Sequence, residues 1–140
     1  MVLLGKVFKN KETGKYWAIE IPSLEIYTQG KSKADALNMA EDAVAEMLGK
    51  NISEVTIASN KDDEFYVSCA DTKAIVSAVL KARRLSAGLT MQEVADQMGE
   101  KSVTGYARYE QGTTEPGFDK LNAILDILST TDDKVALKIG

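Results

Sequence analysis

Between residues 1 and 70 the spacing of hydrophobic positions switches from strand-like to helical and back. Leu3, Leu4, Val7 and Phe8 form an apolar run, residues 10–14 are a turn cluster, and Trp17, Ile19 and Ile21 then alternate with Ala18 and Glu20 as far as Pro22. A period of two sends alternate side chains to opposite faces, so these runs read as a hairpin with one buried face. A third short strand is expected around residues 26–29. From Ser32 the spacing becomes helical: Ala36, Leu37, Ala40, Ala43, Val44, Met47 and Leu48 share one face, with Lys33, Asn38, Glu41, Asp42 and Glu46 opposite. Ser32 is the expected cap and Gly49 the stop. Val55 and Ile57 alternate, residues 60–63 are a polar turn, and Phe65, Val67 and Cys69 alternate again, adding one or two strands. The expected layer is a sheet with one long helix on one face, its other face solvated or covered by something else.

From residue 71 the pattern is helical. Asp71 or Thr72 caps a helix in which Ile75, Val76, Val79, Leu80 and Arg83 run down to Leu85. Thr90 and Glu93 form a capping box, so a second helix starts at Met91, carries Val94, Ala95 and Met98 inward, and stops at Gly99. Beyond a tight turn, Val103, Tyr106 and Tyr109 lie three apart on one face, while Ser102, Thr104, Ala107 and Arg108 point elsewhere. After Gly112 a loop holds Pro116, and Phe118, Leu121, Ile124, Leu125 and Leu128 mark the helix expected to close this core.

A short helix, a glycine turn and a second helix with a small, polar outer face is the arrangement whose second helix enters the DNA major groove. The stretch resembles the phage-repressor-like (XRE/Cro-type) helix-turn-helix family in Gly88, Leu89 and Thr90, in small Ala95, in Gly99, and in the ending Arg108, Tyr109, Glu110, Gln111, Gly112. Met91 stands where many members carry a glutamine that braces the phosphate backbone, with Gln92 beside it. The span from Gly99 to Gly112 is one residue longer than is usual there. The candidate DNA contacts are Gln92, Lys101, Ser102, Val103, Thr104, Ala107 and Arg108. Lys101, Gln92 and the N–H groups near Ser102 suit phosphates, Thr104 and Arg108 suit base edges, and Ala107 permits close approach. For Arg108 a second reading stands beside the first: a brace to Glu110 inside the domain. A helical hairpin with no nucleic-acid role is the plain alternative for the whole stretch.

The tail alternates Val135, Leu137 and Ile139 with Lys134, Ala136 and Lys138, a strand with no neighbour in sequence. An unpaired strand is a liability, so it returns to the first sheet or pairs with a second chain. Pairing between chains is the favoured expectation, because a two-fold DNA reader needs a dimer. The chain is therefore expected to be α+β, with a sheet-and-helix domain at 1–70, a helix-turn-helix domain at 71–131, and a C-terminal strand at 132–140 as a dimerisation element. No glycine- or proline-rich linker separates the first two, so the join at 70–73 is expected to be short and stiff.

Composition narrows the chemistry. The 140 residues are 44% hydrophobic, with a net charge of -4. Residues 1–72 hold 8 lysines against 12 acidic groups, whereas residues 73–131 hold 7 basic and 7 acidic groups, including all three arginines, Arg83, Arg84 and Arg108. Arginine's planar donors suit phosphate and guanine. An acidic first domain fits a basic partner, or simply a solubilising surface. There is no histidine and one cysteine, Cys69, expected as a small core residue, so metal sites and catalytic triads have almost nothing to work with. No cofactor, metal site or catalytic residue is assigned, and the chain is not expected to be an enzyme. Neither a membrane-spanning run nor a secretory signal is apparent, and a cytoplasmic location is expected.

Residues 16–48 resemble the HicB family of bacterial antitoxins. The features that carry the likeness are the aromatic start of the second strand, Pro22 at its end, Thr28, Gln29 and Gly30 closing the third, the Ser32 cap, and the Ala/Glu-rich helix that follows. Glu25 and Ile26 stand where the family often has a glycine-containing turn. The resemblance implies a partial RNase H-like fold without nuclease activity, which binds and neutralises a small, basic, mRNA-cleaving HicA-type toxin. It also implies that the helix-turn-helix represses the pair's own operon; a homodimer, or a higher oligomer built from it, is expected from two-fold DNA reading. Tyr16, Glu25, Tyr27 and Gln29 are the candidate toxin contacts, since aromatic residues beside acids suit a basic partner. Trp17 belongs to the same early strands but alternates with the inward set. The acidic helix face is equally readable as plain solvated surface. The alternative function is a stand-alone transcriptional repressor whose first domain binds a small ligand.

Overall fold

The computed structural model describes residues 1–129 and 137–138. It divides into two compact units, residues 1–70 with 136–140, and residues 71–135. The first unit is an antiparallel sheet with a helix on one face. Strands β1 (Val2–Lys9), β2 (Trp17–Ile21) and β3 (Ile26–Gly30) form a meander, helix α1 (Lys33–Leu48) follows, and β4 (Val55–Ser59) and β5 (Glu64–Cys69) form a second hairpin. The order across the sheet is β3-β2-β1-β5-β4. Central β1 pairs with β2 through Val7 and Ile19 and with β5 through Leu3 and Val67.

Alternation decides which side of the sheet is buried. Leu3 and Val7 of β1, Ile19 and Ile21 of β2, and Phe65 and Val67 of β5 are at most 1% exposed. They share the face packed against α1, where each buried aliphatic side chain contributes about 1.5 to 3 kcal/mol. The α1 residues that meet them are Ala36, Ala40, Val44, Ala45 and Leu48. Met47, expected on this face, is instead exposed, and Ala43 is half-buried. The buried line runs 36, 40, 44, 48, and Met47 falls one position off it. Ser32 Oγ accepts the Asp35 N–H at 3.1 Å, and Gly49 ends the helix at φ +66°. Small residues set how closely the layers approach. The Ala36 backbone lies over Gly30, and the Phe65 ring lies over Gly5, its cross-strand partner.

Between β2 and β3 a short 3₁₀ turn, Pro22–Leu24, ends on Glu25 in the left-handed region at φ +54°. That backbone explains why a glycine-containing turn suits this place, and here a glutamate adopts it. Glu20 and Glu25 are both half-buried. Cys69 is also half-buried rather than fully in the core.

Strand β6 (Leu137–Lys138) lies antiparallel to β1 of the same chain, with Val2 opposite Lys138 and Leu3 opposite Leu137. Where pairing between chains is the favoured expectation, this strand instead returns to the first sheet of its own chain. The remaining tail positions, among them Val135 and Ile139, lie outside the described residues.

The second unit is helical. Helix α2 (Thr72–Ala87) is capped by Asp71 and ends at Gly88, followed by α3 (Met91–Gln97), α4 (Thr104–Glu110) and α5 (Phe118–Leu128). Its core is built from Ile75, Val79, Leu80, Val94, Ala95, Tyr106, Leu121, Ile124 and Leu128, all below 8% exposed. Two expected core residues lie outside it: Phe118 is 71% exposed and Leu85 is 60% exposed. Phe118 opens α5, one turn before the helix reaches the core at Leu121. Leu85 is one residue past the inward line that ends at Arg84. No helix among the described residues is long and apolar enough to cross a membrane.

Candidate nucleic-acid interface

The α3–turn–α4 segment is assembled by local hydrogen bonds that its sequence dictates. Thr90 Oγ1 accepts the Glu93 N–H at 3.1 Å while Glu93 Oε1 accepts the Thr90 N–H at 3.1 Å, so two orphan donors at the start of α3 are satisfied reciprocally. At the other end Gly99 turns left-handed at φ +77°, and the Glu100 N–H reaches back to the Ala95 carbonyl at 3.0 Å. Val94 and Ala95 are fully buried, and the small side chain of Ala95 lets α3 lie close to its neighbours. Past the turn, Ser102 Oγ accepts the Thr104 N–H at 3.2 Å and donates to Thr104 Oγ1 at 2.9 Å, which sets the start of α4.

One face of α4 is bolted inward. Tyr106 is fully buried, and Val103 and Tyr109 flank it half-buried. Glu110 is 8% exposed and takes two hydrogen bonds from Arg84, from Nε at 2.6 Å and from Nη2 at 3.0 Å. Arg84 Nη1 also donates to the Leu89 carbonyl at 2.9 Å, and Ser77 Oγ donates to the Glu110 carbonyl. The fork-to-fork geometry is the strong form of ion pair. Its hydrogen bond to Glu110 raises the Arg84 pKa above its already high ordinary value. The Tyr106 hydroxyl makes no hydrogen bond of normal geometry among the described residues. Burial first, and the Glu110 carboxylate second, raise its pKa far above the phenolic range.

This geometry corrects two expectations. The arginine paired with Glu110 is Arg84, 26 residues upstream, not Arg108. Arg83 and Arg84, read from composition as suited to phosphate and guanine, are 3% and 8% exposed, and Arg84 serves the interior. Arg108, Thr104 and Gly105 are exposed on α4 and Lys101 and Ser102 are exposed in the turn before it, while Ala107 is half-buried. Gln92 is exposed on α3, and its side-chain amide donates to Asp96 Oδ1 at 2.9 Å. The outer surface of α4 therefore carries a guanidinium, hydroxyls and little bulk, a combination able to approach base edges closely. Spacing alone could not find Arg84 as the brace, because its partner is distant in sequence. The clue was Arg84 at the inward spacing of Leu80.

In the first unit, Tyr27 and Gln29 lie on the sheet face opposite α1. Cross-strand pairing sets Tyr27 beside Glu20, Glu20 beside Lys6 and Lys6 beside Glu64, one row across four strands. Tyr27 is 59% exposed and Tyr16, just before β2, is 38% exposed. Glu25 caps the 3₁₀ turn that leads into β3. Trp17 belongs to the α1 side and is half-buried near the hairpin tip. Sequence reading passed over Lys6, Glu20 and Glu64 as a set, although they alternate against the buried residues. Among the described residues, no group of three or more His, Cys, Asp or Glu side chains is arranged to hold a metal ion.

A helix-turn-helix family model matches residues 80–135. The match spans the end of α2 and all of α3, α4 and α5, and it identifies the second unit as a DNA-binding domain of the kind found in transcription regulators. No curated protein matches the chain.

Proposed function

We propose that the chain is an autorepressing antitoxin, a non-enzymatic cytoplasmic protein whose helix-turn-helix binds its own operator as a homodimer while the first unit occludes a small basic toxin of the HicA type. The observation that carries the DNA half is the construction of α4. Its inner face is fixed by Tyr106 and the Arg84–Glu110 pair, and its outer face leaves Thr104 and Arg108 exposed with the small, half-buried Ala107 between them. Arg108 reads a guanine in the major groove, Thr104 contacts an adjoining base edge, and Lys101, Ser102 and Gln92 hold the phosphate backbone. Val103, half-buried on the inner face, anchors the start of α4 and so sets where Thr104 stands.

Support for the toxin half is the likeness of residues 16–48 to HicB antitoxins, with the acidic balance of the first unit and its helix-free sheet face. Tyr16, Glu25, Tyr27 and Gln29 are the contacts assigned to the toxin. The partial RNase H-like layer acts as a binding platform there, with no reaction of its own.

Replacing Arg108 with alanine should weaken operator binding by about 1 to 3 kcal/mol and relax preference at one base pair, measured by titrating an operator and its single-base variants. An equal loss on every sequence would sink the base-reading role. Co-expression with the adjacent reading frame tests the toxin half: recovery of a tight complex and survival of the host are expected, and a lethal neighbour in the presence of this chain rejects it. A second reading, a stand-alone repressor that binds a small ligand, is favoured by one feature. Phe8, Trp17, Lys9, Lys11 and Asp63 border an open hollow of about 1050 Å³ by the hairpin tips. Failure of co-purification together with intact operator binding would select it.

A further inference from the structure

We propose that Gly105 is the point at which the backbone of α4 lies against the DNA, its missing side chain seating the helix deep enough for Arg108 to reach a base. This rests on the DNA-binding half of the proposed function and is independent of the toxin reading. Nine glycines fall among the described residues. Five have left-handed backbone, Gly5 and Gly30 are crowded from within their own unit, and Gly117 caps α5. Gly105 has none of these uses. It lies inside α4 without a left-handed φ, and a Cβ built on it would meet no atom within 4 Å outside its own stretch of helix. Glycine in a helix is less stable than alanine, because it loses more backbone freedom on folding. Nothing inside the domain offsets that cost, so the use of a bare Cα lies on the outer side, where the domain's ligand approaches.

The rotation of α4 fixes which way that bare Cα points. Tyr106 and the Arg84–Glu110 pair hold one face inward. On the opposite face Thr104 and Arg108, four apart, form one exposed line. Helical spacing sets Gly105 to one side of this line and Ala107 to the other, which leaves both flanks with little bulk. A helix with its side chains is about 10 to 12 Å across and the major groove about 12 Å wide, so flanking residues meet the sugar–phosphate walls while the central line faces the bases. Ala107 is half-buried by its own domain, whereas Gly105 is exposed, so the Gly105 flank is the one open to close approach. A methyl group there would hold the helix off the wall. Arg108, adjacent across one turn, would then be drawn back from its guanine.

The test has opposite signs for the fold and for the ligand. In the full chain, Gly105→Ala should raise the thermal midpoint of the second unit, because alanine suits this backbone and its methyl group meets nothing. The same variant should bind the duplex upstream of its own reading frame about tenfold more weakly, the size expected of one misplaced methyl group in a close fit. The advantage of that duplex over one changed at the base pair read by Arg108 should narrow as well. Gly105→Leu, also a good helix former, should stay folded and bind more weakly still. A glycine needed only by the fold would lower stability and binding together. Gly105→Ala binding as tightly as the parent, or binding less tightly with a lowered midpoint, overturns the proposal while the DNA reading stands. A parent chain that ignores the duplex at low salt overturns the DNA reading, and the proposal with it.

Discussion

At the level of single residues, the centre of the second unit is Arg84 with Glu110, both buried and bound by two hydrogen bonds. A buried pair is costly to break on one side, because the surviving charge is left without compensation. Glu110→Leu alone should destabilise the domain by about 3 kcal/mol or more in urea titration, and Arg84→Met with Glu110→Leu should recover much of that loss. A double variant as damaged as the single one would mean that the pair is needed for more than neutralising itself. Tyr106 behaves differently. Its hydroxyl is buried without a well-formed bond, so Tyr106→Phe should change stability by no more than about 1 kcal/mol. The pKa of this hydroxyl is raised above the ordinary 10.0. The folded domain therefore keeps a proton that the unfolded chain releases. Stability from this group is complete below about pH 10 and declines as the pH rises further, by up to about 1.4 kcal/mol per pH unit. Thermal melts across that range should show the decline in the parent chain, and less of it in Tyr106→Phe.

Elements in the first unit are held at fixed spacing by two glycines whose surroundings differ. A Cβ on Gly30 would lie 2.4 Å from Ala36 N and 2.6 Å from Ala36 Cα, in the backbone of α1's first turn. On Gly5 it would lie 2.3 Å from the tip of the Phe65 ring. A ring yields more readily than a helix backbone. Gly30→Ala should cost about 3 kcal/mol and Gly5→Ala nearer 1, read from denaturation midpoints. If Gly5→Ala proved the costlier, the Phe65 ring would be the more rigid wall. Elements were also where the sequence was most legible, because caps and alternation are local signals. Ser32, Asp71, Thr90 with Glu93, Gly49 and Gly99 marked helix ends from neighbours within four residues. Strand order was not legible: β1 meets β5 through Leu3 and Val67, and no local pattern carries that pairing. Apolar identity alone misplaced Met47, Phe118 and Leu85, since a residue one position off the buried line looks the same in composition. In the binding surface, exposed Arg108 followed from helical spacing, while the inward role of Arg84 required knowing where Glu110 would fold.

For the molecule as a whole, charge decides how the chain should meet DNA. Residues 73–131 are balanced, with 7 basic and 7 acidic groups, and two of the basic ones, Arg83 and Arg84, are buried. Lys120 is 3.3 Å from Glu100, an exposed pair of little energetic weight that nevertheless offsets one more surface cation. Few cations are left to displace counterions from the phosphate backbone, and residues 1–72 add a net negative charge. Counterion release contributes a slope of about -0.9 in log K against log salt for each phosphate neutralised. The operator slope per protomer should therefore be shallow, no steeper than about -3, with specificity resting on base contacts rather than on general attraction. Lys101→Ala should flatten the slope by about 1 per protomer and weaken binding evenly across sequences, measured by anisotropy over a salt series. An unchanged slope would remove Lys101 from the phosphate contacts and place that role on another exposed cation of the domain.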